Sequence, residues 1–360
     1  MVFRFLTAGE SHGKCLSAII EGVPAGVEIS IDNINARLAA RQQGYGRGGR
    51  MKIETDKVII NSGVRFGVTT GAPVSMVIEN KDWENWKIPM SVEAVDINNP
   101  EIRQLVEEKK ITHVRPGHAD LAGAIKYGHE DVRNVLERSS ARETAMRVAV
   151  GAFAQEILSK FGIEITSEVV QIGTATTEEE MKAAIDKARE AGDTLGGKFR
   201  VVATGVPVGL GSYVHWDRKL DGQIAQAVMS IPAIKAVSFG LGEEAGTLSG
   251  SKVHDEIFPD KSPQGYMRKT NNAGGIEGGV SNGMPIVVNA VMKPIPTMKT
   301  PLNSIDIKTG QAHVAHFERS DVCAVEAAAV VGEAMVAIAL IKAFLEKYGG
   351  DSLEEIKGRL

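Results

Sequence analysis

The chain has 360 residues, of which 43% are apolar and 24% charged, and its formal net charge is -4. These values are typical of a soluble globular protein with one large domain or two ordinary ones, and they argue against long disordered segments and against a general nucleic-acid binder. The two cysteines, Cys15 and Cys323, allow at most one disulfide, so we expect a reducing, cytoplasmic setting.

The N-terminal residues predict a short strand followed by a polar turn. FRFLTA leads into GESHGK (9–14), which places Glu10, Ser11 and His12 between glycines. GESHGK is one residue short of a P-loop and is followed by Cys-Leu instead of Ser or Thr, so we do not expect phosphate binding of that type. No basic start with a long apolar run is present, so the segment does not resemble a signal peptide. His12 is a candidate catalytic residue.

A glycine-rich loop follows the next predicted helix. The helical pattern of INARLAARQQ precedes GYGRGG (44–49), and the strand-like MKIETDKVII comes after it. GYGRGG has the spacing G-x-G-x-x-G, but a dinucleotide fingerprint must follow a strand and open a helix, and here the order is reversed. Arg41, Arg47 and Arg50 surround the loop, so we predict instead that it closes over a phosphate or carboxylate.

The stretch RPGHADLAGAIKYGHED (115–131) contains two of the eight histidines and three carboxylates. Such a density of titratable groups beside glycines indicates a site. The side chains that could bind a metal are His118, Asp120, His129, Glu130 and Asp131. Ligands on one helix must recur three or four residues apart, which HAD and HED do not supply. A metal-dependent phosphohydrolase therefore remains an alternative, and a non-catalytic anion-binding protein is the second one.

Three long helices are predicted in the rest of the chain. Apolar spacing indicates one helix from about Glu130 to Lys160. Residues 176–192 predict an exposed connecting helix that opens with a capping box, Thr177 to Glu180. The apolar stretch at 321–350 is interrupted by glutamates and is too short between them for a membrane span, so we predict a buried core helix ended by glycines.

Segments of the first half have partners in the same order in the second half. The pairs are residues 21–30 with 204–213, 67–80 with 279–292, and 131–135 with 321–325. Glycine is abundant, so one pair could arise by chance, but three in order favour an internal duplication. We predict one domain over residues 1–360, with half-repeats of about 1–170 and 196–360 about a pseudo-twofold. Strands and long helices without strict alternation favour an α+β layered fold over a doubly wound sheet.

Three further motifs indicate a pocket for an anionic ligand. ERSSARET (137–144) places adjacent hydroxyls between two arginines, and NNAGGIEGGVSNG (271–283) has glycines that let backbone approach a flat ring. KPIPTMKTP (293–301) is a basic segment stiffened by prolines. Each motif is a weak signal alone, and together they describe a cationic pocket without an aromatic cage.

These motifs resemble the chorismate synthase family. The resemblance is carried by GESHG, QGYGRGGRM, RPGHADLAGAIKYGHEDVRNVLERSSARETA, NNAGGIEGG, KPIPT and ERSDVCAVEAA, which together cover nearly the whole chain. It implies a layered β-α-β sandwich with helices between antiparallel sheets, and a homotetramer. The implied reaction converts 5-enolpyruvylshikimate-3-phosphate to chorismate and phosphate by a trans-1,4-elimination. That reaction requires reduced FMN although it has no net redox change.

The resemblance also assigns roles to residues of this chain. His12 and His118 match the two catalytic histidines, expected to give protons to the flavin and to the departing phosphate. Asp321 matches the acid of the R-x-D-x-C signature, in a supporting role. The positions that match cofactor-binding ones are Arg41, Arg47, Arg138, Ser139, Ser140, Gly278, Lys293, Pro294, Ile295, Pro296, Thr297 and Arg319. Arg41 and Arg47 are among those often assigned to a nicotinamide nucleotide, which makes NADPH a candidate reductant.

One expected role is not taken from the family, and at a few positions this sequence differs from the family's pattern. We expect Arg115 to contact a substrate carboxylate or phosphate, together with Arg47. Pro232 and Ala233 stand where many members have Asn-Ala against the flavin, so no role is carried over to Pro232. Ala40 stands where many members have another arginine. Besides the small-molecule substrate and its own copies, we expect no metal, nucleic-acid or membrane partner.

Overall fold

The structure is a computed structural model that describes residues 2–48, 55–318 and 320–360. The α-helices are α1 (Ile31–Gln42), α2 (Pro100–Lys109), α3 (Asp120–Tyr127), α4 (Arg133–Ser139), α5 (Thr144–Ser159), α6 (Glu178–Ala191), α7 (Leu220–Met229), α8 (Gly250–Val253), α9 (Val325–Tyr348) and α10 (Leu353–Lys357). Short 3-10 helices cover Lys81–Asn85, Ala141–Glu143, Trp216–Arg218 and Gly242–Thr247.

The strands form two four-stranded sheets and several hairpins. They are β1 (Arg4–Ala8), β2 (Cys15–Glu21), β3 (Ile59–Ile60), β4 (Val64–Arg65), β5 (Val68–Thr69), β6 (Val74–Glu79), β7 (Glu164–Ile172), β8 (Gly197–Thr204), β9 (Ile234–Phe239), β10 (Ile257–Pro259), β11 (Tyr266–Arg268), β12 (Ile276–Glu277), β13 (Val280–Ser281), β14 (Ile286–Met292), β15 (Asn303–Ile305) and β16 (Ala312–Val314).

The two four-stranded sheets enclose a layer of helices. The strand orders are β1-β2-β6-β3 and β7-β8-β14-β9, and every neighbouring pair is antiparallel. Alternate residues of the inner strands are buried, as in Leu16 and Ile20 on β2 and Phe199 and Val201 on β8, because one face of each sheet packs against helices. Helices α1, α5, α7 and α9 supply that packing. The predicted α+β class, with helices between antiparallel sheets, is confirmed.

Helix α9 is the centre of the core. It is apolar on all sides, and it ends at Gly349, as predicted for a buried core helix. Among the described residues it is the one helix long and apolar enough to cross a membrane, and 89% of its most apolar window is buried inside the protein. Its one deeply buried charge, Glu333, forms an ion pair with Arg37 and accepts a hydrogen bond of 2.6 Å from the Ser167 hydroxyl.

Helices α5 and α9 cross at a glycine that leaves no room for a side chain. A Cβ added to Gly151 would overlap both the Cβ and the backbone of Ala334. We expect Gly151→Ala to lower the free energy of unfolding by about 1–3 kcal/mol, because one of the packed helices must shift. Gly222→Ala is the matched control, since Gly222 is exposed on α7 with nothing near its missing side chain. That change should be neutral or stabilise by up to about 1 kcal/mol. Equal effects in denaturant unfolding would contradict the packing argument.

The prediction of one helix from about Glu130 to Lys160 is wrong. The segment divides into α4, the 3-10 helix Ala141–Glu143 and α5. Ser140 adopts extended dihedrals (φ -61°, ψ 142°), and its hydroxyl accepts a hydrogen bond from the backbone N–H of Arg142. A serine that caps the next turn stops the preceding helix. The prediction of an exposed helix with a Thr177–Glu180 capping box is confirmed by α6.

The two large sheets have the same strand order, β1-β2-β6-β3 and β7-β8-β14-β9, when their strands are numbered along the chain. Each of the two large sheets has its second strand followed by a helix of the central layer, α1 in one half and α7 in the other. Helices α5 and α9 occupy the corresponding later positions. We propose that this parallel reflects an internal duplication of about 1–170 and 196–360 within one domain.

Candidate active site

A cavity of about 600 Å³ lies where α1 and α7 end and α5 and α9 begin. Among the described residues that line it, six arginines and Lys293 outnumber two carboxylates, Glu143 and Asp321. The N-terminal ends of α5 and α9 add partial positive charge, because the first backbone N–H groups of a helix lack intrahelical partners. The cavity is therefore suited to an anionic ligand.

His118 lies on the wall of this cavity, in the turn before α3. Its Nδ1 is 2.5 Å from the Oδ1 atom of Asp120, whose side chain is 1% exposed. Asp120 also accepts hydrogen bonds from the Nε (2.8 Å), the Nη2 (3.0 Å) and the backbone N–H of Arg115. Burial alone would raise the pKa of the Asp120 carboxyl, but the bonds from His118 and Arg115 hold it well below its usual range. Asp120 is thus an ionised anchor for both predicted site residues.

His12 lies in the turn after β1, and it is not among the residues that line the cavity. Its Nδ1 is 2.7 Å from Oε1 of Glu137, and its backbone N–H donates to Oε2 of the same carboxylate at 2.7 Å. Glu137 also accepts a bond of 3.0 Å from Nη1 of Arg133. The neighbouring Ser11 receives a hydrogen bond from the hydroxyl of Ser140, which lies in the chain between the cavity residues Ser139 and Ala141.

Both histidines are therefore held in the same way. Each Nδ1 contacts a buried carboxylate, and a buried arginine binds the same carboxylate. Glu318 extends the group around His12, since it lies 3.4 Å from both Arg133 and His316. Burial would raise the pKa of the Glu318 carboxyl, but the His316 hydrogen bond and the charges of Arg133 and Arg115 lower it to about 2. The region between the histidines is a network of ionised groups.

The glycine-rich loop is fixed by its surroundings up to residue 48. Arg47 forms an ion pair with Asp321 (2.8 Å), and the Gly48 N–H donates to the same carboxylate. Arg41 is buried and donates to the Thr144 hydroxyl and the Ala141 carbonyl, and burial lowers its pKa to about 10. Both arginines line the cavity. Arg50, the third arginine predicted to act here, lies outside the described residues.

Two groups of predicted cofactor-binding residues meet across the cavity. Arg138 donates to the Thr7 and Gly9 carbonyl oxygens, the Ser139 hydroxyl donates to the Val135 carbonyl, and the Ser140 hydroxyl contacts Ser11. On the other side, Lys293 donates to the Gly117 carbonyl next to His118, and Arg115 donates to the Thr297 hydroxyl at 3.2 Å. The residues of the second group that line the cavity are Lys293, Ile295, Pro296 and Thr297, and Pro294 lies between them in the chain.

The structure places Gly278 apart from the cavity. Gly278 lies in the β12–β13 hairpin, whose base at Gly275 contacts Ile286 at the start of β14. Strand β14 has seven residues, and Lys293 follows its far end. An extended strand of this length separates Ile286 from Lys293 by about 20 Å. Arg319 lies outside the described residues. The position of Ala233, by contrast, is on the cavity wall, in the left-handed conformation (φ 69°) that alanine rarely adopts.

The side chains considered as metal ligands do not come together. Asp120 lies beside His118, whereas His129 and Glu130 follow the far end of α3. Asp131 accepts hydrogen bonds from the backbone N–H groups of Ile111 and Arg133. In the part of the chain that the structure describes, no group of three or more His, Cys, Asp or Glu side chains is arranged to bind a metal ion.

Sequence reasoning missed the carboxylates that hold the histidines. Glu137 was not a candidate, because it is 125 residues from His12 and nothing local connects the two. Asp120 was considered only as a metal ligand. A signal for Asp120 did exist, since an Asp two residues after a His and five after an Arg can contact both within one turn.

Comparisons with known proteins identify relatives of this chain. The sequence profile of the family described as chorismate synthase matches residues 3–345. A protein named chorismate synthase from Geobacter sulfurreducens is 54% identical over 388 aligned positions, which cover 99% of this chain and 97% of that protein. The protein of the same name from Aquifex aeolicus is 52% identical, with 99% and 96% covered. A crystal structure of chorismate synthase superimposes with a TM-score of 0.79 at 44% identity, covering 100% of this chain and 96% of that one.

Proposed function

The chain belongs to the chorismate synthase family, and from this premise we propose that the cationic cavity is where 5-enolpyruvylshikimate-3-phosphate loses phosphate. The family activity is that of a carbon–oxygen lyase acting on phosphate, here a trans-1,4-elimination that yields chorismate. The observation that carries the assignment to this cavity is its charge, with seven cationic side chains against two carboxylates among the described lining residues. A substrate bearing phosphate and carboxylate groups requires such a surplus.

The donors around the cavity also fit a flavin mononucleotide. Among the described residues, no carboxylate pairs with Arg138 or Lys293, so their charges are available to a phosphate. The prolines beside Lys293 make a rigid wall without backbone donors, against which a flat ring can lie. A volume of about 600 Å³ is typical of a ligand pocket. When bound, reduced FMN would supply electron density that assists loss of phosphate.

We assign the holding of FMN to two groups at the cavity. One is Arg138, Ser139 and Ser140, of which Arg138 and Ser139 line the cavity, and the other is the segment from Lys293 to Thr297. Gly278 and Arg319 stay predictions from the family resemblance, because Gly278 is distant within one chain. The family resemblance also supports our proposal that the protein is a homotetramer. Sedimentation equilibrium at micromolar concentration measures the number of subunits.

His118 is the proposed proton donor to the departing phosphate. Its Nδ1 is bound to Asp120, so the ring delivers a proton through Nε2. His12 is the proposed second donor, toward the flavin; it lies outside the cavity lining, in the turn whose Ser11 contacts Ser140. The Arg115 guanidinium donates hydrogen bonds to Asp120 and Thr297. We therefore propose that it acts on the substrate through its positive charge and by helping to hold His118. Asp321 supports the site by holding Arg47.

The source of reduced flavin and the cellular setting are further proposals. NADPH is the proposed reductant, and Arg47 is the better candidate for its phosphates because Arg41 is buried against α5. The relatives are biosynthetic enzymes, which supports a cytoplasmic location. Two free cysteines, of which Cys323 is buried, agree with a reducing compartment.

An anaerobic assay tests the function directly. We expect dithionite-reduced FMN to support formation of chorismate and phosphate at the same rate with and without EDTA. Oxidised FMN under the same conditions should support none. Loss of phosphate release on adding EDTA, with recovery on adding a divalent metal, would support a metal-dependent phosphohydrolase instead. Tight binding of the substrate without turnover would indicate an anion-binding protein.

A further inference from the structure

The ring of His12 stacks on an indole. The centroids of His12 and Trp86 are 4.0 Å apart, and the ring planes differ by 25°. Trp86 is 8% exposed, and its Nε1 donates to the Asp82 carboxylate at 3.0 Å. Since the indole is fixed at its polar edge, it defines the plane in which the imidazole can lie.

Trp86 is buried among charged groups, not in an apolar core. It belongs to neither of the two apolar clusters among the described residues. The Lys109 amine lies 4.6 Å and the Arg133 guanidinium 4.9 Å from its ring centre. A tryptophan that only filled space would have aliphatic neighbours. The environment of Trp86 is instead that of an aromatic ring that organises cations and an imidazole.

Glu137 fixes the same imidazole from its edge. One carboxylate oxygen receives the backbone N–H of His12 and the other contacts Nδ1, so ring and backbone are held by a single side chain that is 1% exposed. Burial would raise the pKa of the Glu137 carboxyl, but the bonds from His12 and Arg133 keep it below its ordinary value. The carboxylate therefore stays ionised, and it specifies a proton on Nδ1.

We propose that Trp86 and Glu137 are positioning residues for the family reaction, which together set the ring plane and the Nδ1 contact of His12 and so direct its Nε2 for proton transfer. This inference rests on the proposed function, because it takes His12 to be a proton donor. Arg133 completes the arrangement, since it binds Glu137 and lies against Trp86. Neither Trp86 nor Glu137 lines the cavity, so both act on the reaction through His12.

A double-mutant cycle tests the inference. We expect Trp86→Leu to lower kcat for chorismate formation by about tenfold, with the KM for substrate unchanged within about twofold. Trp86→Phe keeps an aromatic face and should retain most of the activity. In a His12→Ala background, Trp86→Leu should add less than about a twofold further loss, because the group it positions is gone. Glu137→Gln should behave like Trp86→Leu in both backgrounds.

Controls separate positioning from folding and from the proposed function. Trp216→Leu makes the same change at a tryptophan that is 76% exposed, and should leave kcat unchanged. Substrate-induced binding of oxidised FMN reports whether each variant keeps an intact site. The inference is overturned if Trp86→Leu and Glu137→Gln lower kcat equally with and without His12, or if neither changes kcat. If the wild-type protein forms no chorismate with reduced FMN, the proposed function fails, which is a different outcome.

Discussion

His118→Ala is expected to lower kcat for chorismate formation by about a hundredfold, the typical contribution of a positioned general acid. The ring lies on the cavity wall with Nδ1 held by Asp120, so its removal takes away the proton donor for the leaving phosphate while the arginines of the cavity remain. The KM for the substrate should therefore change little. Anaerobic steady-state assays with reduced FMN give both constants.

His129→Ala is the matched control for this prediction. His129 belongs to the same motif, but it follows the far end of α3 and does not line the cavity. Its replacement should leave kcat within about twofold of wild type, as for a surface change remote from chemistry. Wild-type turnover by His118→Ala would remove the assignment of His118 as the general acid.

Asp120→Asn is expected to cost about 3–5 kcal/mol in the free energy of unfolding at pH 7, because it leaves Arg115 buried without its charge partner. It should also lower kcat, since His118 loses the carboxylate that binds Nδ1. Denaturant unfolding measures the first effect. Asp32→Asn, at an exposed position in the first turn of α1, is the control and should cost no more than about 0.5 kcal/mol.

The ion pair of Asp120 and Arg115 also predicts how the free energy of unfolding changes with pH. The pKa of Asp120 is lower in the folded protein than its ordinary value of about 3.9. A carboxyl of this kind contributes stability above its unfolded pKa, and the contribution is lost as pH falls through the folded pKa. The difference in unfolding free energy between wild type and Asp120→Asn should therefore shrink as pH falls below about 4. A difference that stays the same or grows on acidification below about pH 4 would contradict the ion pair.

Much of the fold could be predicted because its signals are local. The apolar surface of α9 and the capping box of α6 depend on residues a few positions apart, and both were found at the predicted places. The break at Ser140 was missed because the apolar residues on its two sides were assigned to one helix. A capping serine inside a helical pattern is recognised only when its backbone is extended.

The site was predictable only in part, because some of its contacts join residues that are far apart in the sequence. Arg115 and His118 are neighbours in sequence, and the structure brings them together on one carboxylate. The partners of His12 come from remote segments, so neither Glu137 nor Trp86 could be connected with it beforehand. The family resemblance identified His12 itself but not what holds it.

The central claim is that one cavity holds flavin and substrate beside His118. A crystal structure of the protein grown with oxidised FMN and 5-enolpyruvylshikimate-3-phosphate tests it most directly. We expect the flavin inside the cavity lined by Arg138 and Lys293, and the substrate phosphate within hydrogen-bond distance of the His118 ring. Flavin bound outside this cavity, or a substrate phosphate remote from His118, would contradict the account.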